Sequence, residues 1–198
     1  MTDFEELFAR CAADVAAGRP LEFPPETLAA LDRDSAAGLA NALGGAALMR
    51  LPEKEIRFFE WLREHDEPVW RDLWGDAPDG PYVVGVSFLP LLLDPVRGFP
   101  ICDLLDNDNY YFTPVHILGG DAEHYVAAVK ERFLAKQRLT HAQLLALEIS
   151  LAPIDVWRFG YHHGISPEAA KKAADTLAAD SIIVHFRTAG ELANFVEF

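Results

Sequence analysis

Apolar residues recur at helical spacing at the start of the chain. Residues 4–15 place an apolar side chain at every third or fourth position, behind a capping box at residues 2–5. Gly18 and Pro20 then break the pattern. The sequence therefore predicts a first helix that ends before Gly18.

Two more helical regions follow. Pro24 and Pro25 open an Ala/Leu-rich region that Gly44 and Gly45 interrupt. Its inward positions are Leu28, Leu31, Leu39 and Leu43. Pro52 opens another helix, in which Ile56, Phe59 and Leu62 follow at three-residue steps. We expect the first ~80 residues to be helical.

The pattern changes to short strands after the loop at residues 76–81. Residues 82–88 are β-branched and aromatic, which is typical of a buried strand. Residues 101–105 and 110–115 flank the turn-forming cluster at 106–109, which predicts an antiparallel hairpin. Residues 181–186 predict one more strand.

Helices predominate again towards the C-terminus. Residues 121–136 predict a helix with Val126, Val129 and Phe133 on one side. Further helix starts are marked by three pairs, Thr140 with Gln143, Ser166 with Pro167, and Thr188 with Glu191.

Composition and cysteine content favour an intracellular protein with its own core. The 51% hydrophobic content supplies enough apolar side chain for one large domain or two small ones. Cys11 and Cys102 make no disulfide framework, and we expect both to be reduced and buried. Acidic residues stand among residues 1–10, where a secretory signal needs basic ones. We therefore expect a cytoplasmic location.

The net charge limits the range of partners. A formal charge of −14 repels phosphate backbones and anionic lipid heads. The longest apolar runs are shorter than the ~20 residues that a membrane span needs. We expect a protein partner, with a second copy of the chain as one candidate, and neither nucleic acid nor membrane.

An aspartate cluster in the predicted hairpin is the candidate metal site. Asp103, Asp106 and Asp108, with His116 on the opposite strand, offer oxygen and imidazole ligands for a divalent cation. An EF-hand loop would need glycine where Tyr111 stands, and Asp/Asn clusters also occur in ordinary tight turns. The sequence is compatible with both interpretations, a divalent metal site and an ordinary tight turn.

Three tryptophans form a candidate interaction surface. Trp61, Trp70 and Trp74 lie close together in the sequence, near other aromatic residues and in an acidic stretch. Aromatic residues at helical spacing also fill protein cores, so the alternative is core packing.

Two further motifs carry a chemical alternative. Ser87 stands in half of a nucleophile elbow, but Leu89 replaces the second glycine and Pro90 opposes a following helix. His162 and His163 are candidates for proton transfer, with Asp155 or Glu148 as the orienting carboxylate. Helix neighbours do not share a face, which favours a structural role for this histidine pair.

Residues 139–186 resemble a winged helix-turn-helix. Residues 139–152 match the first helix and 154–162 the second, and the turn at 164–167 leads to residues 168–180 in the recognition-helix position. Residues 181–184 match the strand that enters the wing. Residues 166–179 contain two basic and two acidic residues and have no net charge, unlike most DNA-binding helices.

Together these patterns predict an α+β protein: a helical N-terminal half, a small, mainly antiparallel sheet and a C-terminal helical segment of helix-turn-helix character. We expect one domain over residues 1–198, with a helical subdomain 1–78 and an α+β subdomain 79–198 as the alternative. The sequence points to no cofactor and assigns no catalytic residue among the candidates, and a non-enzymatic role is favoured. The leading hypothesis is a protein-interaction or regulatory module. The alternatives are a metal-dependent, hydrolase-like enzyme that uses the hairpin carboxylates and a transcription-related DNA-binding protein.

Overall fold

The structure is a computed structural model that describes residues 4–93, 101, 116–117, 120–151 and 155–184. Helices make up most of it, and two two-stranded antiparallel sheets complete it. The prediction of an α+β fold with a helical majority is confirmed.

The helices are α1 Phe4–Ala16, α2 Pro25–Ala30, α3 Arg33–Leu43, α4 Glu53–His65, α5 Glu67–Trp74, α6 Leu89–Leu92, α7 Gly120–Leu134, α8 His141–Ile149, α9 Val156–His163 and α10 Pro167–Ala179. The strands are β1 Leu48–Arg50, β2 Val83–Gly85, β3 His116–Ile117 and β4 Ile183–Val184.

The chain divides into two compact units. The first contains Met1–Arg63 and Pro68–Phe99, and the second contains Glu64–Glu67 and Pro100–Phe198. The predictions of one domain, or of a division between residues 78 and 79, stay predictions.

The first unit is built around a small sheet. β1 and β2 pair with Met49 opposite Val84, and Leu21 adds a parallel bridge to Met49. Helix α3 packs against α1 and α6. The fully buried side chains of this unit include Phe58, Phe59, Leu39, Leu62 and Leu89.

Two predictions for the first unit need correction. β1 interrupts the stretch that the sequence predicts as helical, because a three-residue strand is stabilised by a partner 35 positions away and not by local pattern. The strand predicted over residues 82–88 is limited to Val83–Gly85, and a 3₁₀ turn and α6 follow. Pro90 does not prevent that helix, because it lies in the first turn, where no intrahelical N–H bond is lost.

The second unit is a helical bundle with a short sheet. α10 packs against both α8 and α9, and α7 packs against α8. β3 pairs with β4, so residues 183–184 form the predicted late strand. The core includes Leu145, Phe159 and Leu177. The order of α8, α9, α10 and β4 is the order that the helix-turn-helix resemblance implies.

Local signals in the sequence set the helix ends of this unit. Thr140 and Gln143 form the predicted capping box of α8. Ser166 caps α10 through the Ala169 N–H, with Pro167 in the first turn. Gly164 ends α9 in the left-handed conformation, at a φ of 62°. The predicted strands 101–105 and 110–115 and the helix start at Thr188 lie outside the described residues, apart from Ile101, which is buried.

Candidate functional site

The tryptophans of the predicted interaction surface lie in the first unit, in two different environments. Trp74 is only 5% exposed and packs edge-on against Phe59 and Tyr82, with ring centroids 5.1 and 5.3 Å away. Trp61 and Trp70 are half-buried. Trp74 thus belongs to the core, and Trp61 and Trp70 are the members of the predicted surface that solvent reaches.

A polar network surrounds Trp70. Its Nε1 donates to the Tyr82 hydroxyl at 3.1 Å, and that hydroxyl donates to the Glu60 carboxylate. Arg63 pairs with Glu60 and lies over the Trp70 ring, 5.5 Å from its centroid. Burial, together with the hydrogen bond to Glu60, raises the pKa of Tyr82 to about 12. The hydroxyl therefore stays protonated at neutral pH and serves as a structural donor.

An apolar stripe on α7 continues past the part of the helix that is covered. Ala122, Val126 and Val129 are buried. Phe133 follows Val129 by four residues on the same side of the helix, but it is 55% exposed, and the next residue, Leu134, is 78% exposed. The sequence predicted that Phe133 shares a side with Val126 and Val129. Only the structure shows that the stripe is left uncovered at this end.

Basic residues lie on both sides of this exposed apolar pair in the sequence. Residues 130–138, here called the α7 end, are all exposed and contain four basic residues and one acidic residue. The four are Lys130, Arg132, Lys136 and Arg138. Within the described part of the chain, none of them forms a salt bridge, whereas several other basic residues pair with carboxylates on their own helices, as Arg57 does with Glu53 and Lys171 with Asp175. The α7 end is a cationic and apolar surface on an acidic protein.

The backbone that terminates α7 is ordered by its own hydrogen bonds. The Lys136 N–H donates to the Phe133 carbonyl at 2.9 Å, and the Gln137 N–H donates to the Arg132 carbonyl at 3.0 Å. This bonding is that of a Schellman motif, in which Lys136 takes the left-handed position usually held by glycine, with a φ of 54°. These two hydrogen bonds satisfy carbonyl groups of the last turn of α7 and end the helix at Leu134.

Asp155 is a buried carboxylate in the second unit. It caps α9 by accepting from the N–H groups of Trp157 and Arg158, and it also accepts from the N–H of Ile101 at 3.0 Å. Burial raises its pKa to about 6, against the opposing effects of Arg158 and these hydrogen bonds. All its described hydrogen bonds are to backbone groups, which assigns Asp155 to the architecture.

The side chains of His162 and His163, at the end of α9, have different neighbours. His163 bonds through Nε2 to Glu148, one of the two carboxylates that the sequence suggested, and its ring lies 4.8 Å from that of Phe159. His162 lies against Tyr161 instead. Both His163 and Glu148 are about 30% exposed, and their bond connects the end of α8 to the end of α9. This arrangement fits a structural link.

Ser87 lies at a shallow depression of the first unit. The depression has a volume of about 250 Å³. Its lining is Ala37, Ala40, Asn41, Gly44, Gly45, Ser87 and Pro90. This lining contains no titratable side chain to activate the serine hydroxyl, which favours the structural reading of Ser87.

The side chains of the predicted metal site lie outside the part of the chain that the structure describes. Asp103, Asp106 and Asp108 lie outside the described residues, as does the side chain of His116, whose backbone forms part of β3. Among the residues that are described, no group of three His, Cys, Asp or Glu side chains has the arrangement of a metal site.

Cys11 is buried and free, as predicted, and burial raises the pKa of its thiol, whereas Cys102 lies outside the described residues.

The α7 end is a surface that was not predicted from the sequence. Four cations and an adjacent Phe-Leu pair within nine residues of a chain with a charge of −14 were the available signal. The sequence pattern placed Phe133 on the apolar side of the predicted helix, and its exposure could not be predicted because exposure cannot be read from a local sequence.

No family model, curated protein or solved structure matches this chain. None of its described helices is long and apolar enough to cross a membrane.

Proposed function

We propose that the chain is a protein-interaction or regulatory module that acts in the cytoplasm and contacts its partner through the α7 end. The observation that carries this proposal is the exposed continuation of the buried α7 stripe at Phe133, followed in the sequence by the still more exposed Leu134. Large exposed apolar side chains with a polar rim are typical of a contact surface.

The chemistry of the α7 end favours binding over catalysis. Its side chains are cationic, amide or aliphatic, apart from Glu131 and the Phe133 ring. Phenylalanine and arginine are enriched at protein interfaces. The Schellman hydrogen bonds at the end of the helix restrain its backbone, which favours binding because less conformational entropy is then lost.

Position-specific photocrosslinking in the cells that make this protein tests the proposal. The photoreactive residue p-benzoylphenylalanine replaces Leu134 in one variant, Ala128 in a control and Trp61 in a third. Ala128 is exposed on the same helix but lies before the α7 end. We expect a covalent adduct with one identifiable protein from position 134 and none from position 128.

The other outcomes are informative as well. An adduct from position 61 alone would move the contact to the predicted surface of Trp61 and Trp70. The absence of any protein adduct from positions 134 and 61 would contradict the interaction proposal.

DNA binding is the second candidate, and the order of α8, α9, α10 and β4 is the observation in its favour. The charge of α10 argues against it, because Lys171 is paired with Asp175 and the helix carries Glu168 in its first turn. A duplex-DNA shift that weakens with salt and is lost in Lys172→Glu would support this candidate over the first.

A further inference from the structure

We infer that the α7 end binds an acidic polypeptide segment that also carries bulky apolar side chains, an inference that rests on the function proposed above. The partner's chemistry follows from three features of the α7 end: its charge, the arrangement of its side chains and the conformation of Lys136.

The charge of the α7 end is opposite to that of the chain. Four basic residues and one acidic residue give it a net charge of +3, in a protein with a net charge of −14. Two α7 ends facing each other would bring like charges together, which disfavours a symmetric dimer through this surface. These cations, which form no salt bridge with any described residue, are instead complementary to carboxylates of a different surface.

The cations stand beside the apolar pair and not apart from it. Lys130 precedes Phe133 by three residues and Leu134 by four, so its side chain lies on the same side of α7. Lys136 and Arg138 extend the basic charge beyond the end of the helix. A segment bound here would place apolar side chains on Phe133 and Leu134 and its carboxylates on the surrounding cations, in the usual arrangement of apolar centre and polar rim.

The backbone conformation of Lys136 also supports an acidic partner. Its left-handed backbone would be less strained with glycine, which has no Cβ. The chain has a cation at a position where local backbone energetics favour glycine. A charge that contacts an acidic partner accounts for this choice.

The test measures binding of synthetic peptides to the full-length protein by fluorescence anisotropy. The first peptide has glutamates that flank leucines and phenylalanines, the second has glutamine in place of each glutamate, and the third has lysine. We expect the acidic peptide to bind most tightly and to weaken as salt is raised, because exposed charges are screened beyond a Debye length of about 10 Å.

Variants identify the surface that binds. We expect Lys130→Glu to weaken binding of the acidic peptide about tenfold and Phe133→Ser with Leu134→Ser to weaken it at least as much. Lys172→Glu makes the same charge change on exposed α10 and should leave binding within about twofold. Thermal unfolding of each variant checks that the fold is retained.

Several results would overturn the inference. These are absence of binding by the acidic peptide, equal binding of the glutamate and glutamine peptides, equal effects of Lys130→Glu and Lys172→Glu, and tighter binding of duplex DNA or anionic phosphatidylserine vesicles at the α7 end.

The crosslinking experiment separates this inference from the proposed function. A protein adduct at position 134 without selectivity for the acidic peptide would leave the interaction module in place and refute only the acidic partner. Absence of any protein adduct from both position 134 and position 61 would refute the function itself.

Discussion

At the scale of single residues, Asp155 shows how burial and hydrogen bonding oppose each other. Removal from water disfavours the carboxylate, whereas three backbone N–H groups and the charge of Arg158 favour it. Burial prevails and raises the pKa to about 6. The folded protein therefore holds a proton in a pH range where the unfolded chain, with the ordinary value of 3.8, has released it.

The first prediction concerns the pH dependence of Asp155→Asn. The asparagine oxygen can replace only one carboxylate oxygen, so a buried N–H loses its acceptor and the free energy of unfolding should fall by ~1–3 kcal/mol. Unfolding releases a proton between about pH 4 and pH 6, so the wild-type free energy of unfolding should fall as the pH rises through that range. The stability advantage of the wild type over the variant should therefore shrink as the pH rises. Urea unfolding at several pH values measures both effects.

Asp180→Asn serves as the control, since it makes the same chemical change at an exposed position of the second unit. The wild-type advantage over this control should stay nearly constant. A difference between wild type and Asp155→Asn that grows as the pH rises would contradict the raised pKa.

Lys136→Gly is the second prediction at this scale. Glycine adopts the left-handed conformation at little steric cost, so this substitution should raise the free energy of unfolding by ~0.5–1 kcal/mol. If the lysine serves binding, the same variant should bind the acidic peptide more weakly. Denaturant unfolding and peptide anisotropy on one preparation separate the two effects, and a variant that is less stable than wild type would refute the account of the helix end.

At the scale of elements, the hydrogen-bonded group of Glu60, Trp70 and Tyr82 connects α4 and α5 with the residue that precedes β2. Tyr82 adopts a φ of 70°, an unusual value for a bulky residue, and is nearly fully buried. Packing on Phe59 and Trp74 and the two hydrogen bonds of its hydroxyl offset that backbone strain.

The third prediction is that Tyr82→Phe and Trp70→Phe are coupled. Loss of the Tyr82 hydroxyl removes both hydrogen bonds and should cost ~1–2 kcal/mol. Trp70→Phe removes one of the same bonds, so the double variant should cost less than the sum of the two single changes. A double-mutant cycle from urea unfolding measures the coupling.

Tyr125→Phe is the matched control for this cycle. Tyr125 is a half-buried tyrosine whose hydroxyl bonds to no described residue, and its loss should change stability by less than ~0.5 kcal/mol. Additive effects of Tyr82→Phe and Trp70→Phe would mean that the hydrogen bond between them contributes nothing.

At the scale of the whole molecule, the two alternative functions are partner binding and metal-dependent hydrolysis. The interaction proposal needs no ion, whereas the hydrolase alternative depends on Asp103, Asp106 and Asp108. These two functions predict different properties of the purified chain.

The fourth prediction is that the purified full-length protein carries no stoichiometric divalent metal and that added Mg²⁺, Ca²⁺, Mn²⁺ or Zn²⁺ leaves its melting temperature unchanged. Elemental analysis and thermal unfolding measure both. A ligand that binds only the folded state raises the melting temperature with its concentration. A stoichiometric metal that disappears in Asp106→Ala with Asp108→Ala would favour the hydrolase alternative instead.

The sequence by itself determined the helices whose ends depend on local hydrogen bonds. The capping box of Thr140 and Gln143 and the start of α10 at Ser166 need only residues within one helical turn, so a local pattern is enough to predict them. The α+β class follows in the same way from the alternation of helical and strand patterns.

Tertiary structure decided whatever depends on distant residues. β1 exists because β2 pairs with it, and no local pattern in Leu48–Arg50 requires a strand. The sequence offered both Asp155 and Glu148 as partners for the histidines, but folding brings Glu148 to His163 and buries Asp155 against backbone N–H groups. The amphipathic pattern put Val126, Val129 and Phe133 on one side of α7, and only packing determined that the first two are covered and Phe133 is exposed, since burial depends on which neighbours the fold supplies.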